Sequence, residues 1–274
     1  MVLHLRGEPV TVRLAPDGPD RFPIRVSTVA VPANGARRRP SAWAWLVTVS
    51  AVLVLGSALT FAIWWLATSE RAITSYAVQG SINAIQLDLG GAAVDIVGGG
   101  ESMGVQVRRT DDFAFGHQAA SVRGARAGVL SIGSRCPTTV LGSCAASYRL
   151  TVPDNVRVTI RTTSGRVRLF GYRGSADVDT GSGDISISGV CGFGLRARSQ
   201  SGDVSASAAC ALERMELRSG TGNVTATVPA GRYQVDADTD TGRREVRGVT
   251  AADDAPFQIQ ALSSGGNVTV EAAE

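Results

Sequence analysis

Residues 180–187 read TGSGDISI, and this pattern of hydroxyl residues, a glycine and alternating apolar residues recurs through the second half of the chain. The other copies are TTSGRVRL (162–169), SQSGDVSA (199–206), SGTGNVTA (219–226), TDTGRREV (239–246) and SSGGNVTV (263–270). The repeat glycines are 18, 19, 20, 20 and 24 residues apart. A period near 20 residues is too short for paired-helix repeats and is typical of one coil of a β-solenoid.

Columns of apolar residues flank each repeat glycine. Positions seven and five before the glycine, and two and four after it, are apolar in every copy except at Arg244. Residues two apart share one face of a strand, so each coil predicts two short strands with inward apolar pairs. No coil buries its pairs alone, so the coils must stack. The sequence predicts a mainly β fold, a single-stranded β-solenoid whose coils of about 20 residues stack in chain order.

Two polar columns accompany the glycines. A Ser or Thr stands three residues before each glycine, where we expect its hydroxyl to satisfy backbone groups and the glycine to supply backbone angles that other residues resist. Asp or Asn follows the glycine in four copies, and Asp184 and Asp203 would stack on adjacent coils. Closing the turn is the expected role of this second column. The alternative is calcium binding or carboxylate catalysis, for which Asp236, Asp238 and Asp240 are further candidates.

An uncharged stretch, AWAWLVTVSAVLVLGSALTFAIWWLA, covers residues 42–67. It exceeds the roughly 20 apolar residues that cross a bilayer. Tryptophan pairs lie at both ends, where amphipathic rings favour the membrane interface. Three arginines come directly before the stretch: Arg37, Arg38 and Arg39. The positive-inside tendency therefore places the preceding segment in the cytoplasm and the repeats outside, in a single-pass protein of the plasma membrane.

The chain divides into five predicted segments. They are a cytoplasmic tail (1–40), a transmembrane helix (41–67), a juxtamembrane connector (68–80), an irregular β cap with the opening strands of the solenoid (81–152), and the regular repeats (153–274). In the tail, residues 10–14 and 24–31 either form strands or belong to a flexible segment. For the fourth segment, a separate small β domain is the alternative.

The four cysteines fit the predicted coil register. Cys191 and Cys210 each lie eight residues after a repeat glycine. Their Cα atoms should then be roughly 4.8 Å apart, inside the window of roughly 4.4–6.8 Å for a disulfide. Cys136 and Cys144 bracket a seven-residue loop and can pair locally. Both disulfides need an oxidising compartment, on the side of the membrane that the arginines predict for the repeats.

Outward positions of three copies carry only hydroxyl side chains. They are Ser186, Ser188, Ser205, Ser207, Thr225 and Thr227. Together they predict a flat candidate binding face, which could dock a glycan or order water, or simply be a solvated strand surface. On the other strand of each coil, Asp177, Arg196 and Glu216 alternate in sign between neighbours, which favours the stack.

The run LTVPDNVRVTIRTTSGRVRLFGYRGSADVDTGSGDISISGV (150–190), followed by SQSGDVSAS (199–207), resembles a bacterial family labelled "putative adhesin", domain of unknown function 4097. The resemblance covers roughly residues 76–270. It implies a β-solenoid fold and an envelope location, and it brings no catalytic residues. The fifth copy departs from the family pattern because Arg244 stands at an inward position.

The inventory of reactive residues predicts a protein that is not an enzyme. His117 is the one histidine after the apolar stretch, and disulfides would engage every cysteine. We expect no cofactor, no metal and, at a net charge of +3, no nucleic-acid partner. The predicted function is a single-pass envelope protein whose solenoid binds, adheres to or scaffolds an envelope protein or glycan, within a membrane complex or a homo-oligomer. The alternative is envelope-stress sensing, or a regulatory subunit of a membrane complex that acts through the cytoplasmic tail.

Overall fold

The computed structural model describes residues 4–5, 8–9, 42–67, 69–99, 104–138 and 143–273. The predicted strands at 10–14 and 24–31 and the arginine triplet lie outside these ranges, as does most of the predicted tail. Two units divide the chain, Met1–Leu55 and Gly56–Glu274. In the first, strands β1 (His4–Leu5) and β2 (Glu8–Pro9) pair antiparallel.

Helix α1 (Ala42–Ala67) covers the whole uncharged stretch. From Trp45 to Trp64 its mean hydropathy is 2.3, and none of this part is buried against protein. The helix is therefore long and apolar enough to cross a membrane, as the sequence predicts. The indole rings of Trp43, Trp45 and Trp64 are exposed at its two ends.

Two ten-stranded sheets make up the β domain of the second unit. Their strands, in chain order, are β3 (Ser69–Gln79), β4 (Ala84–Asp88), β5 (Ala93–Gly98), β6 (Gly104–Ala114), β7 (Ala120–Arg126), β8 (Val129–Arg135), β9 (Cys144–Val152), β10 (Arg157–Thr162), β11 (Val167–Phe170), β12 (Ala176–Thr180), β13 (Ile185–Val190), β14 (Gly194–Ser199), β15 (Val204–Ala208), β16 (Arg214–Ser219), β17 (Val224–Val228), β18 (Arg232–Thr239), β19 (Arg244–Arg247), β20 (Thr250–Ala251), β21 (Gln258–Ser263) and β22 (Val268–Ala272).

Each repeat forms one rung, which gives one strand to each sheet. In the rung β12/β13, for example, β12 pairs in parallel with β10 and β14, and β13 pairs in parallel with β11 and β15. The inward columns stack residue on residue: Ile160 lies beside Val178, and Val178 beside Ala197. Buried side chains of both sheets form one core. The predicted β-solenoid is confirmed, with sheets that are mostly parallel.

The order of the rungs in space differs from the predicted chain order at both ends. The described rungs stack as β8/β9, β4/β5, β10/β11, β12/β13, β14/β15, β16/β17, β21/β22 and β18/β19. The last repeat is thus inserted beside β16/β17, and the fifth repeat becomes the outermost rung. At the other end, β4/β5 lies inside β8/β9 in the same way. The first rung of the chain, β4/β5, and the last, β21/β22, therefore each pack between two neighbouring rungs.

This exchange explains why Arg244 breaks the apolar rule. It lies on β19, at the edge of its sheet, and pairs with Val268 of the inserted rung. Its side chain is exposed because no further rung covers that side. Arg244 therefore keeps the predicted inward column, in register with the buried Val268, but its side chain stays exposed because an outermost rung has less core to complete.

The opening region is more regular than predicted. It supplies two complete rungs, β4/β5 and β8/β9, and three antiparallel strands that cover the end of the stack: β3, β6 and β7. Residues 68–80 were predicted to be a connector, but Ser69–Gln79 form β3 and pair with β6 along all 11 residues. The strand lacks a clear apolar alternation because most of its side chains are exposed, so its pattern did not indicate it.

Candidate functional site: the hydroxyl face

The Ser/Thr column holds neighbouring rungs together from inside the turns. Ser219 Oγ accepts a hydrogen bond from the Gly222 N–H at 2.9 Å and donates one to the Gly202 carbonyl of the neighbouring rung at 2.8 Å. Ser263 makes the same two bonds, to Gly266 and to Gly222. The predicted role of this column in satisfying backbone groups is confirmed, and it extends across rungs as well as within each turn.

The repeat glycines are required for a reason other than the predicted one. None of them has a positive φ, so they do not supply unusual backbone angles. Instead, a Cβ at Gly183 would overlap the Gly165 carbonyl oxygen, and one at Gly202 would overlap that of Gly183. The glycines allow the turns of adjacent rungs to approach closely.

The Asp/Asn column forms a second ladder, on the surface of the turns. Asp203 N–H donates to Asp184 Oδ1 at 3.1 Å, and Asn223 N–H donates to Asp203 Oδ1 at 2.7 Å. Asn223 Oδ1 in turn accepts from Asn267 N–H at 2.9 Å. Each carboxylate or amide therefore binds the backbone of the next rung, which gives the column a structural role. Within the described ranges, no group of three His, Cys, Asp or Glu side chains is placed to hold a metal ion.

The predicted binding residues lie together on the outer surface of β13, β15 and β17. In the parallel register, Ser186, Ser205 and Thr225 form one row and Ser188, Ser207 and Thr227 form a second. We call these six residues the hydroxyl face. Thr227 Oγ1 donates to Glu271 Oε1 at 3.3 Å, and in the described part of the chain the other five hydroxyls make no hydrogen bond to protein. These five groups are therefore available to a ligand.

Different side chains bound the hydroxyl face along the stack. On β11, Phe170 pairs with Ser188 and Arg168 pairs with Ser186. Phe170 is 63% exposed, which is unusual for a ring of this size. The sequence pattern indicates that Phe170 points outward, since the residue follows the inward Leu169. It does not connect Phe170 with the hydroxyl face, because this repeat has no hydroxyl at its outward positions.

The opposite end of the face is acidic. On β22, Thr269 continues the first row and Glu271 the second, beside Thr225 and Thr227. Beyond them lie Glu245 and Arg247 of the outermost rung, which form an ion pair with each other. Glu271 became part of this surface only through the exchange of rungs, which the sequence pattern did not indicate.

The outer surface of the other sheet is ionic. Glu216 is flanked by Arg196 in register, as predicted, and Arg196 by Asp177. The Glu216 side chain is 8% exposed; its Oε2 lies 2.9 Å from Arg196 Nε, and its Oε1 lies 2.6 Å from Arg198 Nη2. Arg218 Nε lies 3.0 Å from Oε1 without the alignment of a hydrogen bond. Burial raises the pKa of the Glu216 carboxyl, but the hydrogen bonds from Arg198 and Arg196 outweigh it and hold the pKa below its ordinary value.

A cleft of about 490 Å³ opens on this ionic surface near the outermost rung. Its polar groups are engaged with one another: Gln258 donates to Gln234 at 2.8 Å, and Gln260 donates to Asp236 at 2.7 Å. Arg218 also binds Gln260, at 2.6 Å. The carboxylate of Asp236 is thus tied into the wall of the cleft, in contrast to the open hydroxyls of the other sheet.

Both predicted disulfides are present. Cys191 and Cys210 join adjacent rungs with Cα atoms 5.1 Å apart. Cys136 and Cys144 are also paired, with Cα atoms 5.8 Å apart. The first bond confirms the coil register, since it links the same position of two neighbouring repeats.

The sequence of the rungs matches a family model described as Toastrack DUF4097 over residues 146–270. This segment belongs to the Toastrack family. The match begins in β9 and ends in β22, so it is shorter than the resemblance to residues 76–270. The rung β4/β5 lies before the matched segment, although it stacks directly on the Toastrack rung β10/β11.

Three solved structures match part of this chain, each with a TM-score below 0.5. A "putative cell adhesion protein" of Clostridium sporogenes is 10% identical, with a TM-score of 0.47 over 74% of this chain and 100% of its own. A "putative adhesin" of Bacteroides fragilis is 12% identical, with a TM-score of 0.41 over 74% and 97%. A "putative lipid binding protein" of Parabacteroides distasonis is 10% identical, with a TM-score of 0.36 over the same shares. No curated protein matches the chain.

Proposed function

We propose that this chain is a single-pass envelope protein that holds its Toastrack rungs outside the cytoplasm as a binding module. The observation that carries the proposal is the hydroxyl face, a flat array of short polar side chains whose hydroxyls the protein leaves largely unused. Polar side chains with a structural role elsewhere in the domain have protein partners. Examples are the Ser/Thr and Asp/Asn columns of the turns and the ion pairs of Glu216. Hydroxyls that are held on a rigid sheet and left unused by the protein can hydrogen-bond to a ligand in place of water.

The location rests on two independent features. Helix α1 has the length and composition of a membrane span, and the arginine triplet before it favours a cytoplasmic position for residues 1–40. Two disulfides in the β domain favour an oxidising compartment. We infer that the plasma membrane lies between the tail and the rungs, and that the partner is a protein or glycan of the envelope.

We further infer that the protein acts by binding and not by catalysis. The Asp184 and Asp203 carboxylates, the best candidates for chemistry in the repeats, accept backbone hydrogen bonds from the next rung. All four cysteines are in disulfides. These features give Asp184, Asp203 and the cysteines structural roles.

Photo-crosslinking in living cells tests the proposal. A photoreactive amino acid at Ser207, in the centre of the hydroxyl face, should yield a crosslinked product that recurs when the probe is placed at Ser188 or Thr227. The matched control is Thr159, a half-exposed threonine on the outer surface of the other sheet, where we expect no such product. Equal products at Thr159 and Ser207, or none at Ser207, would overturn the proposal.

A further inference from the structure

We propose that the ligand of the hydroxyl face is a neutral polysaccharide, laid across the strands along the axis of the solenoid, with Phe170 as the ring on which a sugar stacks. This inference rests on the proposed function and names the chemistry of its partner. It follows from three properties of the surface: its length, the kind of polar group it offers, and the position of its one large exposed ring.

The length suits an oligosaccharide. From Phe170 to Glu271 the surface crosses five strands: β11, β13, β15, β17 and β22. At roughly 4.8 Å between neighbouring strands, the distance is about 19 Å. At these outward positions the five strands pair without a register shift. The one irregularity, between β13 and β15, comes after Ser188. A ligand with a regular repeat can therefore meet one pair of outward side chains on each successive strand.

The polar groups suit a sugar. A hydroxyl is both a donor and an acceptor, and its hydrogen rotates to suit its partner. Ser207 and its neighbours can therefore donate a hydrogen bond to a sugar hydroxyl or accept one from it. Carboxylates only accept hydrogen bonds, and guanidinium groups only donate them. Glu271 at the acidic end already accepts from Thr227 at 3.3 Å and has a second oxygen available to a sugar hydroxyl.

Phe170 supplies the apolar contact that such a ligand needs. Sugar rings present C–H groups on their faces, and these pack on an aromatic ring. Phe170 is directly beside Ser188 in the parallel register, at the end of the second hydroxyl row. Because it is 63% exposed and not part of the core, the fold itself gives no reason for an aromatic side chain here. Sites for small molecules combine apolar surface with a few placed polar groups in this way.

The charges around the face disfavour an anionic polymer. No residue of the hydroxyl face is charged, and the nearest arginine in register, Arg168, lies 3.5 Å from the Asp95 carboxylate. Arg247 at the other end is paired with Glu245. An extended peptide is also disfavoured as a strand-adding partner, because the hydroxyl face is the surface of a sheet and its backbone groups are used in the ladder.

Binding measurements on the full-length protein in lipid nanodiscs test the inference. The neutral probes are cellohexaose, chitohexaose, soluble mannan and dextran, and polygalacturonate is the anionic comparison. We expect at least one neutral probe to bind at least tenfold more tightly than polygalacturonate. Phe170→Ala should weaken that binding about tenfold, which corresponds to about 1.4 kcal/mol, and Phe170→Trp should retain it. Ser207→Arg should abolish it by placing a long charged side chain in the second row.

Two matched controls keep the result specific. Phe193 is 68% exposed but lies in a turn, so Phe193→Ala should bind like the unaltered protein. Thr159→Arg, on the other sheet, should also leave binding unchanged. The inference is wrong if no neutral probe binds, if polygalacturonate binds best, or if Phe170→Ala and Phe193→Ala have equal effects. If no probe binds while Ser207 still crosslinks to a protein in cells, the glycan inference fails and the proposed function survives. If Ser207 gives no crosslink, both fail.

Discussion

Gly183 lies where the neighbouring turn leaves no room for a methyl group. A Cβ at this position would overlap the Gly165 carbonyl oxygen, which the ladder of turns holds in place. We therefore expect Gly183→Ala to lower the free energy of unfolding by about 2–4 kcal/mol, measured by urea denaturation. Gly124 on β7 is the control, because nothing lies within 4 Å of its added Cβ. Equal effects of Gly183→Ala and Gly124→Ala would contradict the close approach of the turns.

Glu216 should make stability depend on pH in the acid range. Its pKa is lowered in the folded protein, so its contribution is fully present above the ordinary pKa and is lost as the pH falls through the lowered value. Because the arginines are partly exposed, we expect Glu216→Gln to cost about 1–3 kcal/mol at pH 7. The difference from the unaltered protein should therefore shrink as the pH falls below the ordinary pKa of a glutamate, about 4.3.

Urea unfolding of both proteins across this pH range measures the effect. Glu213 is exposed and is the control, and Glu213→Gln should change stability by less than about 0.5 kcal/mol. A Glu216→Gln difference that stays constant from pH 7 to pH 3 would show that the carboxylate charge contributes nothing.

At the residue scale, the sequence indicated positions better than reasons. Periodicity placed the inward columns and the hydroxyl face correctly, because a repeat fixes every equivalent residue at once. It predicted that the glycines are needed for unusual backbone angles. In the structure they are needed because the turns of neighbouring rungs approach each other closely, and periodicity does not indicate such a contact. The pattern does not assign Phe170 to the face, because its repeat carries Arg168 at the other outward position and no column of like residues extends that far.

At the scale of the elements, the exchange of the last two rungs is the feature that the sequence could least predict. Parallel strands pair through equivalent columns, and β18 and β21 both offer apolar residues to β16 at the same positions. The pattern therefore does not distinguish the two orders. Only Arg244 and the longer spacing of 24 residues before the last repeat glycine gave a signal, and both also fit a bulged rung in chain order.

Paired cysteines distinguish the two orders directly. Thr225 lies beside Thr269 in the observed register, and Thr269 lies beside Glu245. We expect Thr225→Cys with Thr269→Cys to form a disulfide, since facing Cα atoms of paired strands are close enough. Thr225→Cys with Glu245→Cys should not, because a whole strand separates them. Non-reducing electrophoresis after proteolysis measures both pairs. A disulfide in the Thr225/Glu245 pair and none in the Thr225/Thr269 pair would show that the rungs stack in chain order.

At the scale of the whole molecule, the chain combines a helix that is long and apolar enough to span a membrane with a stack of rungs. The sequence predicted the span from composition and the stack from periodicity, two signals that extend over many residues and tolerate local exceptions. It could not predict that both ends of the stack are clamped by exchanged rungs. It also could not reveal the acidic end of the hydroxyl face, because Glu271 reaches it only through that exchange.

The side of the membrane on which the hydroxyl face lies decides whether the proposed function can hold. The most direct measurement is labelling of intact cells with a membrane-impermeant maleimide, using Ser207→Cys for the face and Ser27→Cys for the tail. All four native cysteines are in disulfides and should not react. The account predicts that Ser207→Cys is labelled in intact cells and Ser27→Cys only after permeabilisation. Labelling of Ser27→Cys alone in intact cells would contradict it.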